Sequence, residues 1–242
     1  MTLPLEKSKK DSRFSVQKFG MIGASGIGKS DFWAQEENGL FLRAEAGLNA
    51  IEAYQVPIRG WGDLRTAYGD LVEAKKAGKL KFNLLVLDTI DRIVEYAQEE
   101  IIGRAREFYK KVEINTIADI PEGAGWSRTK ELVTSFLNHL ESLEMAIAFV
   151  SHLSCKPRND DGNKYEKNTI SIGGQLGESL LAWADHILHI ESKLKGDKLV
   201  RIVWTRPTQT REAKSRGSII PDGWIWDESS KVNYGKLRSL FT

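Results

Sequence analysis

The hydrophobic positions of the chain fall into short apolar runs separated by longer stretches with helical spacing. The runs "LLVLD" and "AIAFV" are nearly continuous, which is typical of strands buried on both faces of a parallel sheet. This pattern predicts strands at residues 16–22, 40–45, 82–89 and 145–152, with a shorter one within 52–58. Strands that alternate with helices in this way predict an α/β domain.

The segments between these strands carry the spacing of amphipathic helices. In residues 62–78, Leu64, Tyr68 and Leu71 recur at i, i+4 and i+7, and Gly78 is predicted to end the helix. The other helices are predicted from residue 29 to residue 38, from the end of "LLVLD" to about residue 111, and over residues 128–143, with an irregular stretch at 113–126.

The last third of the chain changes character. Residues 153–175 are polar and rich in Asn, Asp and Gly, which predicts a long loop, and loops of that length in compact domains are usually functional or mobile. Two apolar segments around "KGDK" then predict an antiparallel hairpin. The expected fold is a central, mostly parallel β-sheet flanked by helices and closed by this C-terminal antiparallel hairpin.

Composition is that of an ordinary globular protein, with 41% apolar and 28% charged residues. We expect one domain over residues 16–242, preceded by a basic flexible tail at residues 1–15 that adds nonspecific attraction for anions through Lys7, Lys9, Lys10 and Arg13. The tail lacks the apolar core of a signal peptide, and no apolar run is long enough for a membrane span, so a cytoplasmic protein is expected. The net charge of +2 neither requires nor excludes nucleic acid as a partner.

A glycine-rich run that ends in Gly-Lys-Ser lies between the first predicted strand and the first predicted helix. It satisfies the pattern G-x-x-x-x-G-K-[S/T] in full and is followed by Asp31, the residues being Gly23, Ala24, Ser25, Gly26, Ile27, Gly28, Lys29 and Ser30. Glycines let backbone N–H groups approach a polyphosphate at the positive end of a helix. Lys29 is then expected to reach the β and γ phosphates, and Ser30 to hold Mg²⁺. A glycine-rich turn with a surface lysine is the alternative.

A second oxygen ligand for Mg²⁺ is predicted at Asp88, which ends the buried run "LLVLD". The carboxyl ends of parallel strands meet at the edge of the sheet where ligands bind, so this carboxylate is expected beside the phosphate loop. Aspartate is also a good helix N-cap, and a capping role for Asp88 is the alternative.

Hydrolysis also needs a base that orients and deprotonates water. The predicted base is Glu45, because the strand "LFLRAE" ends at the same sheet edge as the phosphate loop. Glu36 and Glu37 lie late in the preceding helix and are expected to face solvent. A loop carboxylate without a special role is the alternative for Glu45.

An ordered set of segments gives the chain a resemblance to a known family. The chain resembles the ATPase core of the RecA recombinases in five segments. In sequence order they are the phosphate loop, "LFLRAEAGLNAIEAY", "LLVLDTID", "AIAFVSH" and "SIGGQLGESLLAWADHILHI". The short chain and "DIPEGAGW" are more similar to phage-type RecA-like ATPases linked to single-strand annealing and recombination. The resemblance spans about residues 16–221 and implies a P-loop NTPase of the RecA-like core type that uses ATP and Mg²⁺.

The resemblance also implies roles for individual residues. Glu45 matches the catalytic glutamate of the family, and His152, at the end of "AIAFVSH", stands where RecA has a glutamine that senses the γ-phosphate. Lys214 and Arg216 in "EAKSRG" match paired basic residues that reach the ATP of a neighbouring subunit; two solvated residues are the alternative. Arg43 departs from the family, whose members often carry an acidic residue there.

Two segments combine positive charge with aromatic residues, which suits single-stranded DNA because cations follow phosphates and rings stack on bases. The first contains Arg104, Arg106, Lys110 and Lys111; the second, in the predicted loop after His152, contains Lys156, Arg158, Lys164 and Lys167. In RecA-like cores the DNA-binding loops occupy these intervals. The alternatives are a basic helix face for the first segment and a flexible surface loop for the second.

These observations favour an ATP-dependent, single-stranded-DNA-binding ATPase of the RecA class that acts in phage-type homologous recombination or annealing. The expected assembly is a homo-oligomer, either ring or filament, with ATP at the subunit interface and a single-strand-binding protein as a further partner. A nucleoside or small-molecule kinase is one alternative. A nucleotide-gated interaction module in DNA replication is the other.

Overall fold

The computed structural model describes residues 11–45, 51–226 and 232–241. Its strands are β1 (Lys18–Gly23), β2 (Gly39–Arg43), β3 (Tyr54–Pro57), β4 (Leu84–Asp88), β5 (Ala146–Asp160), β6 (Asn163–Ile170), β7 (His186–Lys195), β8 (Lys198–Trp204), β9 (Lys214–Ser215) and β10 (Trp224–Trp226). Its helices are α1 (Lys29–Trp33), α2 (Trp61–Lys76), α3 (Ile90–Phe108), α4 (Ala124–Glu141), α5 (Gly174–Trp183) and α6 (Val232–Arg238), with short 3-10 turns at Phe14–Val16, Ile117–Asp119, Pro121–Gly123 and Arg216–Ser218.

The strands form one mixed sheet in the order β10-β8-β7-β1-β5-β4-β2-β3, to which β6 and β9 attach by pairing with β5 and β7. The pairs from β7 through β1, β5, β4 and β2 to β3 are parallel. The pairs β7–β8, β8–β10, β7–β9 and β5–β6 are antiparallel. The predicted α/β fold, with a mostly parallel sheet and an antiparallel C-terminal hairpin, is confirmed.

Alternating side chains of the central strands fill two cores, one on each face of the sheet. In β4, Leu85 and Leu87 pack towards α2, α3 and α4, while Leu84 and Val86 pack towards α1 and α6. Both sets are fully buried, which explains the continuous apolar run in the sequence. Because both faces are covered, the carboxyl ends of the parallel strands remain as an open edge for polar groups.

The long loop predicted at residues 153–175 is wrong. Strand β5 continues beyond the core to Asp160, turns at residues 161–162, and returns as β6, so that most of this segment is an antiparallel hairpin followed by the first turn of α5. Asp161 and Gly162 both have positive φ angles, 50° and 89°, as a tight hairpin turn requires. The segment predicted to carry a DNA loop is therefore a projecting two-stranded arm, here called the β5–β6 hairpin.

Other boundaries differ from the expected ones by a few residues. Helix α1 ends at Trp33 rather than near residue 38, and α4 begins at Ala124 within the stretch predicted to be irregular. Helix α2 ends as expected, with Gly78 at a φ of +66° just beyond it. Residues 1–10 of the predicted tail, with its three lysines, lie outside the described residues, whereas Phe14 is buried against Phe19 and Phe241, so packing begins before residue 16.

Among the described residues, no helix combines the length and apolarity needed to cross a membrane.

Candidate nucleotide site and adjoining groove

The phosphate loop, residues 23–30, connects the end of β1 to the start of α1. Gly26 and Gly28 adopt positive φ angles of 72° and 94°, a left-handed conformation that residues with a side chain rarely adopt. The Lys29 ammonium group folds back over the loop and donates to the carbonyl oxygens of Gly23 and Ala24, each at 2.9 Å. Burial lowers the pKa of Lys29, although the nearby carboxylates of Asp88, Asp91 and Glu45 oppose that effect. The predicted lysine therefore lies at the centre of an acidic sheet edge.

Ser30 and Asp88 meet as the sequence predicted. The Ser30 hydroxyl donates to Asp88 Oδ2 at 2.6 Å, and Asp88 is buried at the end of β4. Burial raises the pKa of this carboxyl, while the bond from Ser30 acts in the opposite direction. The alternative role for Asp88 as a helix cap is wrong, because the Thr89 side chain accepts the N–H of Arg92 and caps α3. Two adjoining hard oxygen ligands beside a phosphate loop suit Mg²⁺, which prefers carboxylate and phosphate oxygens.

Glu45 lies just beyond β2, two sheet positions from the strand that carries His152. Its Oε1 accepts a hydrogen bond from the Thr89 hydroxyl at 2.6 Å and lies 3.3 Å from His152 Nε2. The side chains of Glu45 and His152 are 41% and 37% exposed, so water can reach both. The strand-end argument correctly placed Glu45 and Asp88 together, and His152, which the resemblance implied, lines the same cavity with them and the phosphate loop.

The expectation that Glu36 faces solvent is wrong. The Tyr234 hydroxyl of α6 donates to Glu36 Oε2, and the Glu36 side chain is only 10% exposed. Glu37 is exposed as expected. Because α1 ends at Trp33, Glu36 lies in the turn after this helix, where it contacts Tyr234 of α6.

Sequence reasoning missed Asp91, in the first turn of α3. Its partly buried carboxylate accepts hydrogen bonds from the Ser151 hydroxyl and the His152 backbone N–H, both at 3.2 Å, and from the Ser171 hydroxyl. Burial raises the pKa of Asp91, while the Ser151 hydroxyl and the charge and backbone N–H of His152 act in the opposite direction. The contacts join residues 60 to 80 positions apart in the chain, so no local motif could have indicated them.

Sequence reasoning also missed Arg201, on β8. A Cβ atom placed on Gly28 would lie 2.9 Å from Arg201 Nη1 and 3.4 Å from Asp31 Oδ2. The guanidinium group and the Asp31 carboxylate therefore flank the glycine that turns the phosphate loop into α1. This end of the loop lies on the β7–β8 side of β1, opposite Glu45 and His152.

A groove of about 1040 Å³ adjoins the nucleotide site on the Glu45 side. Its lining includes Glu45, Asp91, Trp126, Lys130, His152 and Gln175, and we call it the Trp126 groove. Trp126, in the first turn of α4, is 56% exposed. A large aromatic side chain exposed in a concave site is a typical feature of ligand-binding surfaces. Because Glu45 and His152 line both cavities, the groove and the nucleotide site share a wall.

The second predicted DNA-binding segment lies on the β5–β6 hairpin, where two of its cations bind groups of the protein itself and two are exposed to solvent. Lys156 donates to the carbonyl oxygens of Ile170 and Ile172, and Lys167 pairs with Glu212 at 2.9 Å. Arg158 and Lys164 are exposed near the tip.

In the first predicted DNA-binding segment, Arg104 pairs with Glu100, and Arg106 donates to the Ile114 carbonyl at 2.6 Å. Lys110 and Lys111 are exposed beyond the end of α3. DNA contact by either segment stays a prediction.

Lys214 and Arg216 both bind the end of α5 in this chain. The Lys214 ammonium group donates to the carbonyl oxygens of Leu181, Ala182 and Ala184, at 2.9, 3.2 and 2.6 Å. Arg216 donates to the carbonyl of Ala182 and pairs with Asp185, and its side chain is 56% exposed. Cations suit the carbonyl-rich end of a helix, which gives both residues a role within one subunit. Their action on a neighbouring subunit stays a prediction.

Comparison with known proteins gives one family. The family described as AAA domain matches residues 15–217, a span that contains the phosphate loop, Glu45, Asp88 and His152. A solved structure of a KaiC-like protein from the hyperthermophilic archaeon Pyrococcus horikoshii is 14% identical, with 82% of this chain and 81% of that chain covered and a TM-score of 0.41. No curated protein matches the chain.

Proposed function

Given that the chain belongs to the AAA domain family, we propose that it hydrolyses ATP with Mg²⁺ and that single-stranded DNA in the Trp126 groove stimulates this turnover. The observation that carries the proposal is the shared wall between the nucleotide site and the groove, formed by Glu45 and His152. By the resemblance to phage-type RecA-like ATPases, the reaction would serve homologous recombination or strand annealing.

The nucleotide half of the proposal follows from the sheet edge. Backbone N–H groups of the phosphate loop and the Lys29 ammonium group would bind the phosphates. Ser30 and Asp88 would hold Mg²⁺, which when bound neutralises charge on the transferred phosphoryl group. Thr89 and His152 hold Glu45 at a water-accessible position, where its carboxylate would orient the attacking water and accept a proton.

The DNA half of the proposal is supported by side chains that suit an unpaired strand. Trp126 offers an exposed ring for base stacking, and the nearby ammonium group of Lys130 adds positive charge. Arg158 and Lys164 extend the positive surface along the β5–β6 hairpin. Duplex DNA would not present its bases to such a groove, so an unpaired strand is the expected ligand.

The test is the rate of ATP hydrolysis with and without an oligothymidylate, with oligomer size followed in the same samples. We expect the oligonucleotide to raise turnover of the wild type. Glu45→Gln should bind ATP with little change and lose turnover by about 10²- to 10⁴-fold, because a positioned base contributes that much. Trp126→Ala should keep basal turnover and require more DNA for stimulation, since one stacked base contributes about 1–3 kcal/mol.

Each result that contradicts the proposal has its own meaning. Normal turnover of Glu45→Gln removes Glu45 from the role of base. Phosphoryl transfer to a nucleoside without any effect of DNA favours a kinase. Slow turnover unaffected by DNA, together with nucleotide-dependent binding of a protein, favours an interaction module. A change in oligomer size with nucleotide would support the proposed assembly with ATP at the subunit interface.

A further inference from the structure

The β5–β6 hairpin leaves and rejoins the body of the protein at one point. Strand β5 leaves the buried sheet at His152, and β6 ends at Ile170, just before Ser171. The Ser171 N–H donates to the His152 carbonyl oxygen at 3.1 Å, which closes the base of the hairpin. Movement of either strand at this base therefore moves the residue that contacts Glu45.

The carboxylate of Asp91 holds both strands of this base. Its Oδ2 accepts the N–H of His152 on the outgoing strand, and its Oδ1 accepts the hydroxyl of Ser171 after the returning strand. The Ser151 hydroxyl donates to the same Oδ1. Hydrogen bonds to a charged acceptor are stronger than neutral ones, so this carboxylate holds the base of the hairpin more firmly than a neutral acceptor would.

Helix α3, which carries Asp91, contacts both Glu45 and His152. Thr89, at the N-cap of α3, donates to Glu45 Oε1, and Asp91 lies in the first turn of that helix. The start of α3 therefore touches Glu45 through Thr89 and touches the partner of Glu45, His152, through Asp91. Residues 172–175, which lead from Ser171 into the first turn of α5, line the Trp126 groove together with Asp91 itself.

We propose that Asp91 is a positioning residue that couples occupancy of the Trp126 groove to the placement of His152 and Glu45 in the nucleotide site. A ligand that shifts residues 171–175 changes the Ser171 contact, and Asp91 transmits the change to the His152 backbone. The inference rests on the proposed function, because it takes single-stranded DNA as the ligand of the groove. Coupling of this kind must be reciprocal, so a nucleotide must change the affinity for DNA by the same factor.

The experiment measures oligothymidylate affinity with and without a non-hydrolysable ATP analogue, and analogue affinity with and without the oligonucleotide. In the wild type, each ligand should tighten the other on the order of tenfold. In Asp91→Ala, we expect this coupling factor to fall below about twofold. The factor is a ratio of affinities within one variant, so it reports coupling even where Asp91→Ala also changes the binding of DNA alone. Asp91→Asn should give an intermediate factor, because the amide keeps one acceptor oxygen.

A second measurement follows hydrogen exchange of the amides in residues 152–171. The analogue alone should slow exchange at the hairpin base of the wild type and leave exchange unchanged in Asp91→Ala. A purely structural role would raise exchange in both states without removing the effect of the nucleotide. Asp222→Asn is the matched control, because Asp222 also accepts two backbone N–H groups, those of Thr205 and Arg206, and it should keep the wild-type factor.

The outcomes separate the inference from the proposed function. If nucleotide and DNA still tighten each other's binding in Asp91→Ala by the same factor as in the wild type, Asp91 does not couple the two sites. A wild type without coupling overturns the proposed role of DNA, and the exchange measurement then decides on Asp91 alone. If Asp91→Ala does not fold, Ser171→Ala removes one donor and must lower the factor by itself; an unchanged factor in that variant contradicts the inference.

Discussion

At the scale of single residues, the site depends on backbone conformations as much as on side chains. Gly28 has a φ of +94° at the junction of the phosphate loop with α1, and Arg201 and Asp31 lie against its α-carbon. A left-handed conformation costs a residue with a Cβ atom roughly 1–2 kcal/mol. The glycine thus lets the loop turn its N–H groups towards a phosphate without that cost.

Gly28→Ala should therefore lower the free energy of unfolding by about 1–2 kcal/mol and weaken binding of ATP analogues, because the strained loop no longer aims its N–H groups correctly. Chemical denaturation and calorimetric titration measure the two effects. Gly69→Ala is the control: Gly69 lies in the middle of α2, with nothing within 4 Å of an added Cβ, and should gain about 0.5–1 kcal/mol. Stability and affinity of Gly28→Ala equal to those of the wild type would contradict this account.

The same scale shows which site residues a sequence can predict. Lys29 and Ser30 follow from a contiguous motif, and Asp88 and Glu45 follow from the rule that parallel strands end at a common edge. Asp91 could not be predicted in this way, because its partners Ser151 and Ser171 reach it only after the hairpin has formed. A carboxylate in the first turn of a helix is already explained by its favourable interaction with the helix dipole, so the sequence gives no reason to expect a second role.

At the scale of elements, the main error of the sequence prediction is the long loop at residues 153–175, most of which is the β5–β6 hairpin. Strands of the core were predicted because burial makes them continuously apolar, whereas a hairpin that projects into solvent carries no such signal. The Asp161-Gly162 turn was the available clue, since this dipeptide favours the positive φ angles of tight hairpins. Pairing of Lys156 with Lys167 and of Asn159 with Lys164 then distributes the charges over two strands.

The predicted DNA-binding cations of the hairpin should have two different roles, DNA contact near the tip and stabilisation at the base. Arg158→Gln with Lys164→Gln should weaken oligothymidylate binding and reduce the slope of log affinity against log salt by about 0.7 for each lost phosphate contact. Lys156→Gln should instead destabilise the hairpin base, because Lys156 binds two backbone carbonyl groups there. Titrations at several salt concentrations provide the measurement.

Lys195→Gln with Lys198→Gln is the charge-matched control for this experiment, since both lysines are exposed at the β7–β8 turn. The control should leave the salt slope close to the wild-type value. An equal reduction in both double variants would mean that net charge, rather than the hairpin, determines DNA affinity.

The end of α5 provides a second prediction at this scale. Lys214→Met keeps the aliphatic stem and removes the ammonium group that binds three carbonyl oxygens, so we expect a loss of about 1–2 kcal/mol in the free energy of unfolding. Denaturation of the dilute protein measures this loss. Lys198→Met, at an exposed turn, should change stability by less than about 0.5 kcal/mol. Unchanged stability of Lys214→Met with lost turnover would instead support action on a neighbouring subunit.

At the scale of the whole molecule, the sheet divides the protein into the two cores and leaves polar groups at its carboxyl edge. The order of strands puts Glu45, Asp88 and His152 on one side of β1, and Arg201 on the other. The alternation of strands and helices was enough to predict this architecture, because each apolar run has to be covered on both faces. The C-terminal residues return to cover α1 through Tyr234 and β1 through Phe241. This could not be predicted, since it depends on packing between distant segments.

A buried histidine links the stability of this whole assembly to pH. His189, on β7, is 1% exposed, and its Nδ1 donates to the Glu212 carbonyl at 3.1 Å. Burial lowers the pKa of His189, and Arg211 adds to that effect, while the Glu212 carbonyl, Glu191 and the Glu212 carboxylate oppose it. Because the unfolded chain binds the proton more tightly, stability should fall as pH drops below the unfolded value of about 6.5.

For the wild type, this one group adds a slope of up to about 1.4 kcal/mol per pH unit to the free energy of unfolding below pH 6.5. His189→Gln keeps a donor for the Glu212 carbonyl and removes the titrating ring, so its slope between pH 5 and pH 6.5 should be smaller by that amount. Urea denaturation of both proteins at several pH values measures the difference. Parallel pH profiles for the two proteins would show that His189 takes up a proton equally well in the folded and unfolded states, which its burial between β1 and the C-terminal strands should prevent.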